Sequence, residues 1–162
     1  MIRAAVASAA IACFGASALA QQSFEIDPFD ITGDLPPQFE AADRPSVTDT
    51  ISFFNSDVTS SLIVTGSRET REDWPSNFEF SRDATLAFGA TIEEETRDLN
   101  SFSFAGVEAD GARYYRYTRF GKTCDLDTVV ATLIYRHPSE KAALYEPAIA
   151  PLVASLFIGA CG

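Results

Sequence analysis

The stretch from Ala112 to Phe157 constrains the fold more than any other part of the chain. It holds two runs rich in strand-forming residues, ARYYRYTRF and LDTVVATLIYR, followed at once by a segment whose apolar residues recur at helical spacing. In the second run Val129, Ala131, Leu133 and Tyr135 point to one side while Leu126, Val130 and Ile134 point to the other. Apolar material on both faces reads as a central strand. In the first run Tyr115 and Tyr117 share a face with Arg113 and Arg119, a mixture suited to a half-exposed neighbour. A tight turn is expected between them at Gly121-Lys122.

Beyond the strands, Tyr145, Ile149, Leu152, Val153 and Leu156 make one continuous stripe, which predicts a helix lying on the sheet. Pro147 and Pro151 interrupt it, and an interior proline loses a backbone hydrogen bond at a cost of about 3 kcal/mol. The sequence avoids that cost if a turn or two begins at Ser139, breaks near Pro147, and gives way to a main helix with Pro151 in its first turn.

Residues 1–20, MIRAAVASAAIACFGASALA, carry one positive charge at Arg3, an uncharged Ala-rich run, and small residues at Ala18 and Ala20. This is the pattern of a secretory signal peptide cleaved before Gln21, in a style that looks bacterial, so a periplasmic or secreted destination is expected. The run is too short and too weakly apolar to span a membrane stably. A lipid anchor on Cys13 is the alternative, for which Ala10-Ile11-Ala12 is a poor lipobox. The remaining residues, 21–162, amount to a single domain with enough chain for a core.

Two cysteines then remain, Cys124 and Cys161. In an oxidising compartment two such cysteines pair, and this bond would tie the start of the central strand to the end of the terminal helix. A loop of this length implies roughly 3 to 4 kcal/mol of stabilisation, mostly by restricting the unfolded chain. Free thiols or a redox pair are the alternatives, and no C-x-x-C motif supports the second. Two cysteines and one histidine do not make a standard structural zinc set, so no metal is expected.

The formal charge of −11 repels phosphate backbones and anionic headgroups, which disfavours nucleic acid and membrane surfaces as partners. Residues 21–48 suggest one or two short strands, one near Phe29 to Ile31, with turns at Gly33-Asp34 and Pro36-Pro37. TISFFN and SSLIVTGSRE read as a hairpin around Asn55-Ser56-Asp57. Residues 68–83 form a charged excursion carrying Trp74, either a lid over the core or an exposed anchor for a partner protein. A short helix is suggested around Ala84 to Phe88, and strands resume at Ile92, with a turn at Asp110-Gly111.

Strands, a small helix, more strands and a terminal helix make an α+β domain: a mainly antiparallel sheet covered by helices, the C-terminal helix packed on it, with one disulfide. The segments FDITGDLP, TISFFN…SSLIVTG, SFSFAGVEADGARYYRYTR and TVVATLIYRHPSEKAALYEPAIAPLVASL together resemble the PsbP-like α-β-α sandwich superfamily. The resemblance covers most of residues 21–162. It implies a non-catalytic binding or assembly domain, like the extrinsic subunit of the oxygen-evolving complex and assorted bacterial exported proteins, and carries no fixed set of functional residues.

Catalytic signatures are missing from the residues themselves. His137 is the one histidine, and no G-x-S-x-G elbow accompanies it. Gly121-Lys122-Thr123 mimics the end of a phosphate loop, but Arg116 stands where its first glycine belongs. Asp125 and Asp127 do not follow a buried strand, and Glu93, Glu94 and Glu95 with Glu108 and Asp110 lack the glycine and spaced oxygens of a calcium loop. No catalytic residue and no cofactor is therefore assigned.

An aromatic constellation remains. Phe53, Phe54, Phe102, Phe104, Tyr114, Tyr115, Tyr117 and Tyr135 all fall on expected strands, and 12% aromatic content exceeds the need of an ordinary small core. Ordinary packing and cross-strand pairing account for such a set. The alternative is a ligand-binding sheet face built from Tyr115, Tyr117, Arg113 and Arg119, with Arg116 a further candidate contact, for an anionic or carbohydrate ligand. The expected function is an exported, periplasmic, non-enzymatic binding or assembly factor for another envelope component. A small-ligand-binding protein using that sheet face, or a secreted enzyme without a recognisable motif, are the alternatives.

Overall fold

The computed structural model describes residues 22–42, 49–69 and 74–159, Trp74 by its backbone alone. Two sheets account for most of them. The larger has seven antiparallel strands in the order β3 (Glu40–Ala41), β4 (Thr50–Phe54), β5 (Ser61–Arg68), β9 (Thr128–His137), β8 (Arg113–Lys122), β7 (Ser101–Val107) and β6 (Thr91–Arg97). The smaller joins β1 (Gln22–Ile26), β2 (Ile31–Leu35) and β10 (Phe157–Ile158). The 14-residue helix α1 (Trp74–Ala87) carries the chain from β5 to the far edge at β6. The chain then returns strand by strand until β9 pairs with β5.

The central position of β9 follows from its two apolar faces. Val129, Ala131, Leu133 and Tyr135 are buried with Leu62, Val64 and Phe53 beneath the small sheet and the terminal helices. On the other side Val130 joins Phe78, Phe102, Phe104, Tyr114 and Phe120 beneath α1. Period-two alternation thus splits the apolar residues between two cores, one per face. The small sheet sits so close to β5 that a side chain at Gly66 would overlap the Phe29 ring and Ile31.

The terminal segment takes the form its prolines require. A 3-10 turn at Ser139–Lys141 leads into α2 (Ala142–Tyr145), a second 3-10 turn spans Glu146–Ala148 around Pro147, and α3 (Ile149–Ser155) has Pro151 within its first turn. The expected stripe faces the core: Tyr145, Leu152 and Leu156 are buried, with Ile149 and Val153 packed against them.

Three local expectations are corrected. β8 runs through Gly121 and Lys122, and the turn falls at 123–127, where the Thr123 N–H donates to Asp127 O (3.0 Å) and Leu126 takes a left-handed backbone (φ 67°). Gly33 and Asp34 lie inside β2, held by pairing with Phe24 and Ser23. The short helix expected at Ala84 to Phe88 is the end of the much longer α1, and most of the charged excursion is helical. Cys161 falls outside the described residues.

Candidate functional site

The side of the sheet facing α3 carries the four residues singled out in β8. Arg113, Tyr115, Tyr117 and Arg119 alternate onto this side, opposite His137, Tyr135, Leu133 and Ala131 of β9. A cleft of about 530 Å³ opens between them and the terminal helices, lined by Arg113, Tyr115, Glu94, Glu146, Ile149 and Val153 among others. Arg113 is already neutralised there: its Nε lies 2.7 Å from Glu146 Oε1 and its Nη1 3.3 Å from Glu93 Oε2. Burial pushes the Tyr115 phenol above its usual range, so it is a neutral hydrogen-bonding group at physiological pH. With two glutamates on its lining and its one guanidinium paired, the cleft suits a neutral or cationic guest better than an anion.

Arg119 and Tyr117 do other work. Arg119 Nη1 donates to the Leu156 carbonyl (2.8 Å), tying off an end-of-helix acceptor, and Tyr117 packs against the core. His137 also reaches the cleft lining, but only 2% of it is exposed. It stacks on Tyr145 with centroids 5.7 Å apart, and its Nδ1 lies 3.0 Å from the Pro138 carbonyl oxygen. It is a packed core histidine. The acidic residues considered together in the sequence are dispersed: Glu108 and Asp110 both bind Arg136, and Glu93 binds Arg113.

A second feature lies at one end of the sheet. The β6–β7 turn carries Leu99, 94% exposed, and the β8–β9 turn carries Leu126, 72% exposed. Beside them a groove of about 420 Å³ is lined by Leu99, Phe120, Gly121, Lys122, Thr128 and Pro75 of α1. A left-handed backbone costs a leucine about 1–2 kcal/mol, which glycine would avoid. Trp74 begins α1 at this same end, and its side chain falls outside the described residues.

Set against solved structures, this architecture has counterparts. The solution structure of cyanobacterial PsbP from Synechocystis superposes over 89% of this chain and 96% of its own, with a TM-score of 0.62 at 11% identity. The fold is PsbP-like. The crystal structure of the Ran-binding protein Mog1p of Saccharomyces cerevisiae is also similar, with a TM-score of 0.55 at 13% identity over 85% of this chain and 95% of that one. A point mutant of Mog1 superposes to the same extent, with a TM-score of 0.53. No family model and no curated protein sequence matches the chain.

Within this PsbP-like frame, then, two of the four sheet-face residues, Arg113 and Tyr115, line a concavity, while Tyr117 and Arg119 support the helix above it. The sequence reads Leu126 as a strand residue sharing a face with Val130 and Ile134 and singles out nothing at Leu99, yet both exposed leucines lie on turns. What marks them is their exposure at one end of the sheet, which depends on a strand order that sequence alone does not reveal.

Proposed function

We propose that this protein is an exported, non-enzymatic binding or assembly factor that docks another protein of the cell envelope at the end of the sandwich bearing Leu99 and Leu126. The observation that carries this reading is the pair of leucines standing 94% and 72% exposed on turns of that end, one of them in a strained backbone. Turns ordinarily carry polar residues or glycine, and exposed apolar side chains beside a groove are what a partner's apolar residues would cover. Trp74, at the start of α1, would extend that contact. The Ran-binding protein Mog1p indicates that a chain of this fold can serve as a protein-binding module.

Residues 1–20 supply the export signal in this reading, and Cys124 pairs with Cys161 after translocation. Asp30 supports the pairing: its carboxylate accepts from Cys124 N (2.8 Å) and its carbonyl from Gly159 N (2.9 Å), drawing together chain positions close to both cysteines. A Cβ at Gly159 (φ 87°) would run into the Lys122 carbonyl, so the two segments lie in contact.

Native mass spectrometry of the protein purified from its own envelope, without reductant, tests all of this at once. The expected species begins at Gln21, is lighter by two protons than its reduced form, and carries a partner chain that Leu99→Asp with Leu126→Asp releases. A partner retained by that double variant would move the contact elsewhere. A bare chain under gentle ionisation and after cross-linking would sink the docking reading. A small-molecule adduct lost in Tyr115→Ala would instead favour the second reading, a ligand site in the cleft lined by Tyr115 and Arg113.

A further inference from the structure

Arg116 projects from β8 onto the α1 side of the sheet, between Phe104 of β7 and Ile134 of β9. Among the described residues it forms no ion pair, and its Nε is sealed from solvent without a hydrogen-bond partner. The neighbouring arginines differ. Arg82, Arg113 and Arg136 each reach a carboxylate, and Arg119 reaches a carbonyl. Burial pushes the Arg116 guanidinium below its ordinary range, while Glu108 and Asp110, the acids that line the same groove, are held by Arg136.

A desolvated guanidinium without an anion is costly, and proteins hold buried charges by pairing them. Here the approach is open. Arg116 lines a groove of about 540 Å³ with Thr85, Phe88, Ala90, Tyr114 and Ile134, and Phe88, at the end of α1, stands 86% exposed. One guanidinium balances one negative charge. Glu108 and Asp110 also line this groove and disfavour a dianion such as phosphate. The remaining wall is largely apolar.

We propose that the groove between α1 and β8–β9 binds an amphiphilic monocarboxylate, its carboxylate paired with Arg116 and its apolar body lying against Phe88, Tyr114 and Ile134. This site lies away from the Leu99–Leu126 end and on the opposite side of the sheet from the α3 cleft, so it stands or falls independently of the docking reading.

Octanoate is the probe, titrated into the full processed protein and followed by the chemical shifts of the groove residues, with octanol and inorganic phosphate as controls. Octanoate is expected to saturate at one equivalent and to bind at least about tenfold tighter than octanol, the effect of one charge-assisted contact. Arg116→Met is expected to weaken octanoate about tenfold or more while leaving octanol unchanged. Phe88→Asp, at an exposed position the fold does not use, puts a carboxylate at the mouth and should weaken octanoate similarly; it decides alone if Arg116→Met does not fold. Octanol or phosphate binding as tightly as octanoate, no saturable binding, or unchanged affinity in the folded variants would overturn the assignment.

Discussion

Replacing Phe104 with alanine is expected to destabilise the protein by about 3–5 kcal/mol, the range for removing a large aromatic from a closed core. Phe104 has no exposed surface and sits between Phe78 and Phe102, with ring centroids 5.4 Å from each. Phe78 is the large apolar residue that α1 buries among its described side chains, and the Arg97 guanidinium covers its ring at 4.6 Å. Emptying the space beneath Phe78 therefore loosens the seat of the whole helix. Urea unfolding measures the loss, with Phe80→Ala as the control. Phe80 lies on the outer side of the same helix, 74% exposed, and its removal should change stability by no more than about 0.5 kcal/mol. Equal effects from the two substitutions would mean that α1 docks by a different face.

Tyr145→Ala should have a comparable effect, about 3–5 kcal/mol, on the other core. The Tyr145 ring stacks on His137 and meets Tyr135 and Phe39 edge-on or tilted, with centroids 6.4 and 6.0 Å away. Its hydroxyl accepts from Asn55 Nδ2 (2.8 Å) and its carbonyl from the Tyr135 hydroxyl (3.2 Å). Tyr145→Phe keeps the ring contacts and leaves the Asn55 amide without that acceptor, so about 1 kcal/mol is expected from it. The difference between the two variants, read from urea midpoints at constant m-value, separates packing from hydrogen bonding. Near-equality would assign the residue's contribution to the hydroxyl. Because Tyr145 ends α2, the alanine variant should also widen the cleft beneath α3, visible as faster amide exchange in residues 149–155.

The physical reasons for what could and could not be read from the chain differ by element. β9 was legible because both of its faces are buried, which leaves an apolar residue at nearly every position from 129 to 135. The broken terminal helix was legible because proline has few permitted places in a helix. By contrast α1, among its described side chains, buries one large apolar residue and turns Phe80 and Leu86 outward, so these apolar residues trace no single stripe. Its N-terminal Pro75 and surrounding charges read as loop. The turn after β8 was displaced because Gly121, usually a turn signal, instead clears room for Ile158 of β10 in the smaller sheet.

The site followed the same division. That Arg113, Tyr115, Tyr117 and Arg119 share a face follows from strand alternation alone. Which of them are committed elsewhere depends on Glu93, Glu146 and the Leu156 carbonyl, brought in by distant segments. In the sequence Arg116 stands out as a residue that spoils a phosphate-loop motif and, with Arg113 and Arg119, as a candidate polar contact for a ligand. That it pairs with no carboxylate among the described residues is a property of the assembled sheet, where Arg136, its diagonal neighbour across the β8–β9 pair, takes both acids of the groove.

The seam between β5 and β9 sets an order of events in folding. Every other neighbouring pair from β3 to β9 is joined by a short connection, whereas Ser61 meets Arg136 only after α1 and three more strands have been traversed. Closing a long loop before any contact rewards it makes such a pairing slow. The β6-to-β9 meander is local and can zip early, while the β4–β5 hairpin waits with the Leu62–Val64 edge unpaired. The kinetic bottleneck is then the docking of two preformed halves, and substitutions along this one seam should slow refolding more than equally destabilising ones within the meander.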